Sequence, residues 1–307
     1  MPSVSGVAAL LVNPTAGRGR ATRLVDPVRS ALRQAGLDVL MLAGRSAAES
    51  VALSRAAVAD GVAAVVAVGG DGLVHCAAQA VAGTGTALAV VPAGTGNDFA
   101  EVLGLPRSAE TAAAVVAAGR CRSVDLGLAV SDDATPVADL GPTGKRWWAG
   151  VLGAGFDSAV NERANRMRWP SGPRRYDLAI FAELYRLRPR PATLVLDGRR
   201  LDTEITLVAV GNGPQYGGGF RICPDARMDD GLLDVCVVGP LSRRELVRLK
   251  PRTRVGRHVD HPAVQILRAK EVRLEAAGVV AYADGERVAP LPLTVRCIPG
   301  ALRVIVP

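Results

Sequence analysis

Apolar positions along the first 125 residues fall into two alternating periods. Val7 to Val12, Val39 to Leu42, Val62 to Val68 and Ala87 to Val91 are near-continuous apolar runs bounded by Gly, Asn or Asp, the pattern of buried parallel strands. Between them, Leu24, Val25, Val28, Ala31, Leu32 and Ala35 recur at helical spacing up to Gly36, and a second helical stretch runs from Ala47 to Ala59 before Gly61. This βαβα series predicts a doubly wound parallel α/β domain over 1–125.

Beyond Asp125 the period changes to short alternating strands joined by Asp-Gly and Gly-rich turns. Leu194 to Leu196 before Asp197-Gly198, Ile205 to Val210, Leu232 to Val238, Val272 to Leu274, and Val279 to Ala283 before Asp284-Gly285 predict an antiparallel β domain over 126–298. A helical insertion from Tyr176 to Leu187 places Leu178, Phe181, Ala182 and Tyr185 on one face.

Composition narrows the classes. With 307 residues, 49% hydrophobic and 21% charged, the chain can bury a sizeable core and is not a disordered protein. The charge-free stretch from Val74 to Asn97 is broken by Gly83, Gly85, Pro92, Gly94 and Gly96, which disfavours a membrane-spanning helix. No basic stretch precedes Val7 to Val12, so a secretory signal is not expected and the cytoplasm is the expected location. Cys76, Cys121, Cys223, Cys236 and Cys297 are scattered without any Cys-x-x-Cys, which suits reduced buried thiols rather than disulfides or zinc. His258 and His261, three apart in an arginine-rich segment, are expected at the surface rather than on a metal.

The net charge of +8 is almost wholly arginine, since Lys145, Lys250 and Lys270 are the three lysines. Arg163, Arg166, Arg168, Arg174 and Arg175 form one cluster, and Arg243, Arg244, Arg248, Lys250, Arg252, Arg254 and Arg257 a second. Both would attract phosphate-bearing partners, whether nucleotide, nucleic acid or anionic lipid, although a solvated basic face explains either cluster equally well.

Ligands of open α/β sheets bind beyond the carboxyl ends of the strands. Three loops expected there are glycine-rich: Asn13-Pro14-Thr15-Ala16-Gly17-Arg18-Gly19, Gly69-Gly70-Asp71-Gly72, and Pro92-Ala93-Gly94-Thr95-Gly96-Asn97-Asp98. A single such loop would read as a tight turn with Asp71 or Asn97 capping a helix; three on one edge favour a phosphate site. No Gly-Lys-Ser/Thr and no Gly-x-Gly-x-x-Gly follows the first strand, so a Walker loop and a dinucleotide fingerprint are both disfavoured. Asp71 and Asp98 would repel a phosphate unless a divalent cation lay between, which points to Mg²⁺ with a nucleoside triphosphate.

Six ordered motifs carry a resemblance. Asn13-Pro14-x-Ala-Gly17, Gly69-Gly70-Asp71-Gly72, Pro92-Ala-Gly94-Thr95-Gly96-Asn97-Asp98-Phe99, Gly153-Ala-Gly155-Phe156-Asp157, Asp230-Gly231-Leu232-Leu233-Asp234 and Asp284-Gly285-Glu286 span essentially the whole chain. Together they resemble the diacylglycerol kinase catalytic-domain family of lipid kinases, which includes soluble bacterial diacylglycerol kinases and sphingosine kinases. Asn165 to Pro170 and Pro299 to Leu302 look most like the mycobacterial type.

The resemblance implies ATP-dependent phosphorylation of diacylglycerol to phosphatidic acid, in a cleft between the α/β domain and a C-terminal β-sandwich. It implies nucleotide contacts from Asn13, Gly69, Gly70, Asp71, Gly72, Leu73, Val74, His75, Gly94, Thr95, Asn97 and Asp98. Asp71 and Asp98 would reach Mg²⁺ through water, while Asp230 and the carbonyls of Arg227 and Leu232 would bind it directly. Glu286 would accept the hydroxyl proton, with Asp71 also catalytic. Residues 299–307 would complete the first domain. The implied partners are ATP, a lipid alcohol and, through Arg18, Arg20, Arg166, Arg168, Arg174, Arg175 and Trp169, the anionic inner face of the membrane. Nucleic acid is not an expected partner, and a homodimer is left open.

Two positions depart from the family. Leu73 stands where relatives carry threonine, and Met41 or Leu42 where another nucleotide-contacting threonine is common. The competing readings are phosphorylation of another lipid alcohol, NAD kinase, which shares the Gly-Gly-Asp-Gly loop, and a non-catalytic anion-binding module.

Overall fold

The computed structural model describes residues 6–13, 20–131, 144–167, 169 and 173–307. Pro14 to Gly19, including Arg18, together with Arg168, Pro170 and the Arg20 side chain, lie outside the described residues. The chain divides into unit 1, Met1–Leu126 with Ile298–Pro307, and unit 2, Gly127–Cys297.

Unit 1 alternates strand and helix. Its elements are β1 (Val7–Val12), α1 (Arg20–Gln34), β2 (Asp38–Ala43), α2 (Ala47–Ala59), β3 (Ala64–Gly69), α3 (Asp71–Val81), β4 (Ala87–Pro92), α4 (Asp98–Val102), α5 (Ala109–Ala118) and the first part of β5 (Cys121–Ser131). The strands pair in parallel in the order β2-β1-β3-β4. Every residue of β3 and β4 is buried, as continuous Ala and Val runs require when helices cover both faces. Val28 and Leu32 of α1 and Ala112 and Val116 of α5 pack on Leu10, Val66 and Val91. The alternate residues Ala9, Leu11, Val65 and Ala67 are buried as well.

Unit 2 holds the remainder of β5, then β6 (Lys145–Trp148), β7 (Val151–Gly155), α6 (Phe156–Arg166), α7 (Pro173–Tyr185), β8 (Arg190–Leu196), β9 (Arg199–Ile205), β10 (Leu207–Gly211), β11 (Leu233–Val238) and α8 (Arg243–Thr253). They are followed by β12 (Val264–Ala269), β13 (Glu271–Glu275), β14 (Val280–Ala283), β15 (Glu286–Pro290) and the start of β16 (Leu293–Ile305). One antiparallel sheet runs β12-β11-β10-β7-β14-β15. Facing it, β9, β8, β13 and the first residues of β16 pair antiparallel. Leu194, Val272, Leu274 and Val295 of one layer meet Leu152, Val208, Val235 and Val288 of the other in a shared core, so the unit is a β-sandwich. The second half of β16 belongs to unit 1, where Val304 pairs in parallel with Leu88 of β4.

Four expectations need correction. β2 is not a buried strand: it ends the sheet, and Leu40 and Met41 are exposed. Ile205 to Val210 is not one strand. Ile205 closes β9 and Leu207 opens β10 in the other sheet, with Thr206 at the bend. His258 is not a surface group: it is buried, and its Nε2 donates to the Ile222 carbonyl at 2.9 Å. Cys121 is not buried: it is exposed, unlike Cys76, Cys223, Cys236 and Cys297.

Candidate active site

In unit 1 the carboxyl ends of β3 and β4 carry two loops that touch through glycine. A Cβ on Gly94 would fall 2.6 Å from the Gly70 Cα and 2.9 Å from the Asn97 Oδ1, so both loops need hydrogen at these positions. Asn97 sits in the left-handed region at φ 63°; its side chain caps no helix and instead bonds Gly94, accepting from the N–H and donating to the carbonyl. Asp71 opens α3 but serves the neighbouring loop. Its carboxylate accepts from the Asn97 N–H at 2.8 Å and the Phe99 N–H at 3.4 Å, satisfying donors at the start of α4. Burial raises the Asp71 carboxyl above its ordinary value, and Asp98 pushes it the same way against those amide donors.

The structure thus brings Gly69, Gly70, Asp71 and Gly72 together with Gly94, Asn97 and Asp98, with Thr95 exposed beside them and Asn13 at the end of β1. Leu73, Val74 and His75 are different: all three side chains are buried on α3. The N–H groups of Leu73 and Val74 both bond the Gly70 carbonyl, and the Leu73 side chain packs over Gly69. A cavity of about 500 Å³ opens at this edge, lined by Pro92, Gly94, Thr95 and Asn97 and by the guanidinium-bearing Arg23 and Arg107. Neither arginine lies within a glycine motif, so the motifs did not flag them. Their approach depends on α1 and the segment after α4 folding over the same strand ends.

In unit 2, Glu286 is exposed at the start of β15 beside the Asp284-Gly285 turn. Asp284 at φ 51° and Gly285 at φ 85° form the mirror-image turn that matches strand twist. The Asp284 carboxylate accepts from the Ala149 N–H at 2.8 Å and the Gly150 N–H at 2.9 Å, which fixes the hairpin against the chain entering β7. Behind Glu286, burial raises the Tyr282 phenol, and the Glu162 and Glu286 carboxylates add to the rise. Asp157, from the Gly153 to Asp157 motif, is half-buried and accepts from the Tyr216 hydroxyl.

Asp230 accepts from the Leu232 N–H at 3.1 Å and is paired with Arg268. Asp234 stands next to it, 3.6 Å from the Arg268 Nε, with its buried Oδ2 making no hydrogen bond. Burial raises the Asp234 carboxyl; Arg268 opposes this, and Asp230 and Asp225 add to it. Asp230 and Asp234 offer the carboxylate oxygens that a hard divalent cation takes, one of them buried without a hydrogen bond, and a cation seated there would displace the Arg268 guanidinium from Asp230. Arg227 is exposed and Leu232 half-buried on the same turn. Neither Arg268 nor the role of Asp234 was evident from the sequence, because the Asp230–Arg268 pair joins the turn before β11 to β12 across 38 residues.

Fold and site define a two-unit protein, a parallel α/β unit with a glycine-lined acidic edge and a β-sandwich bearing a second acidic turn. Residues 7–129 match the diacylglycerol kinase catalytic domain, and 150–306 match the YegS C-terminal NAD kinase beta sandwich-like domain. The chain is 42% identical over 304 residues to the diacylglycerol kinase of Mycobacterium tuberculosis (strain ATCC 25618 / H37Rv), covering 98% of this chain and 96% of that one. It is 31% identical to the protein named "Probable lipid kinase YegS-like" of Stenotrophomonas maltophilia (strain K279a), over 69% of this chain and 66% of the other. A solved diacylglycerol kinase structure from Bacillus anthracis str. Sterne superposes with a TM-score of 0.71 at 20% identity, covering 100% of this chain and 98% of that one. The chain belongs to the diacylglycerol kinase family of lipid kinases and is an enzyme of that family.

Proposed function

We propose that the protein transfers the γ-phosphate of ATP to the free hydroxyl of diacylglycerol, giving phosphatidic acid and ADP. The observation that carries the substrate is the near full-length likeness to the M. tuberculosis protein. The glycine-lined cavity at the ends of β3 and β4 supports the phosphate donor: its backbone can approach closely, and Arg23 and Arg107 supply positive charge.

In this reading the hydroxyl oxygen bonds to the γ-phosphorus, the bond from that phosphorus to the ADP oxygen breaks, and Glu286 takes the hydroxyl proton. Glu286 suits the task because it is exposed on a hairpin whose turn is held by Asp284. Asp71 orders the two loops through Asn97 and Phe99, and its remaining lone pairs can serve a hydrated cation. Asp230 would hold Mg²⁺, with the carbonyls of Arg227 and Leu232 beside it and Asp234 behind. When bound, that ion neutralises phosphate charge.

The test is transfer of labelled γ-phosphate to a panel of lipid alcohols in micelles. Labelled phosphatidic acid is expected, with the rate reduced roughly 10²- to 10⁴-fold in Glu286→Gln while ATP binding is retained. An unchanged rate would remove Glu286 from its role, and label in a sphingoid base or ceramide would change the substrate. NADP formation is measured alongside, because 150–306 match an NAD kinase sandwich-like domain; its appearance without lipid product would overturn the proposal.

A further inference from the structure

Helix α7 has one covered side and one bare side. On the covered side Ala179 and Ile180 pack with Val160 and Ala164 of α6, and Glu183 pairs with Arg163. On the bare side Leu178, Phe181 and Tyr185 follow one another at i, i+3 and i+7, exposed by 47%, 69% and 75%. Trp169, just before the helix, is 81% exposed. Scattered apolar side chains are ordinary on a surface, but a helical stripe of two aromatics and a leucine is not.

Charge identifies what would cover it. Arg174, Arg186 and Arg188 are exposed on and beyond α7. Arg243, at the start of α8, lies over the Tyr185 ring at 5.2 Å and donates to the Tyr185 carbonyl, which joins the stripe to the second arginine cluster. Between 243 and 257 that cluster has seven cations against one acid, Glu245, and all eight are exposed. An apolar and aromatic stripe beside dense positive charge is the chemistry of a helix lying in the plane of an anionic lipid surface.

We propose that the bare face of α7, with Trp169, docks the protein on anionic membranes. Leu178 and Phe181 enter the acyl boundary, and the arginines of α7 and α8 lie at headgroup level. The inference rests on the lipid kinase reading for its purpose, since diacylglycerol resides in the bilayer, but its geometry stands within unit 2 alone. It adds an apolar insertion face to the electrostatic attraction expected of the arginines.

The full chain is tested by co-sedimentation with phosphatidylcholine vesicles with and without phosphatidylglycerol. The wild type is expected to bind vesicles containing phosphatidylglycerol, and Leu178→Gln/Phe181→Gln to bind about tenfold more weakly or worse. Both side chains are exposed, so the melting temperature should stay the same, and Phe181→Leu should retain most of the binding. Added salt should weaken wild-type binding and leave a residual share that the double variant lacks.

Equal binding by wild type and double variant would overturn the proposal, as would failure of the wild type to bind phosphatidylglycerol vesicles. A wild-type dimer that the double variant lacks, without vesicle binding, would instead assign the face to a second copy. Phosphorylation of a short-chain diacylglycerol dissolved as monomers tests the kinase reading separately. Vesicle binding through this face with no lipid phosphorylated would uphold the face and overturn that reading.

Discussion

Gly94 meets Gly70 so closely that a single methyl group tests the whole loop pair. Gly94→Ala would place carbon 2.6 Å from the Gly70 Cα, so one loop must shift, at about 1–3 kcal/mol. The expected result is a lower melting temperature together with weaker ATP binding by calorimetry; retained affinity would show that the loops do not form the nucleotide edge. His258 tests a different residue-scale property. Burial holds its imidazole below the ordinary value, against the Ile222 carbonyl that favours the charged form, and its Nδ1 is buried without a partner. The folded state therefore takes up a proton less readily than the unfolded chain. This contribution to stability is intact above about pH 6.5 and lost as the pH falls through the depressed folded value. Melting temperatures from pH 7 down to pH 5 should fall more steeply for the wild type than for His258→Gln. At this scale the glycines and acids of the site were legible because they cluster in the sequence, whereas Arg23, Arg107 and Arg268 were not. Each is brought to its place by folding rather than by its neighbours along the chain.

Among the elements, the bend at Thr206 separates what periodicity suggests from what the fold does. Ile205 to Val210 is apolar except for Thr206, and no alternation marks the switch from one sheet to the other. The switch is held by hydrogen bonds that the sequence does not display. The Thr206 Oγ1 donates to the Gly239 carbonyl at 2.8 Å and accepts from the Leu241 N–H, while its own N–H bonds Val238. Gly155 completes it with φ 102°, since a Cβ there would lie 2.8 Å from the Thr206 carbonyl oxygen. Thr206→Val keeps the shape and removes both side-chain bonds. It should cost about 1–3 kcal/mol in denaturant unfolding, and a neutral result would move the cause of the bend to Gly155. The parallel strands of unit 1 were legible because burial on both faces makes them continuous apolar runs. β2 misled because an edge strand can carry apolar residues without burying them. The insertion helix carries its stripe where the periodicity places it, and that stripe stays exposed.

At the scale of the whole molecule, the chain passes between its two units twice, within β5 and within β16. Change of period near Asp125 was visible in the sequence, but no local pattern reports that a strand begun in the sandwich ends in the parallel sheet. Leu302, Val304 and Ile305 are fully buried there, and their loss should cost unit 1 roughly 5 kcal/mol or more, comparable with a domain's entire stability. A chain ending after Cys297 is expected to be cleaved by protease within 7–126 while the sandwich survives; uniform resistance would show that β16 is dispensable. The same strand sets an order of events during synthesis. Val304 pairs with Leu88, a partner made more than 200 residues earlier, so β4 waits with an open edge until the end of β16 clears the ribosome. The sandwich has nearly all of its strands by then, so on the ribosome the later-made unit can fold before the earlier one is complete.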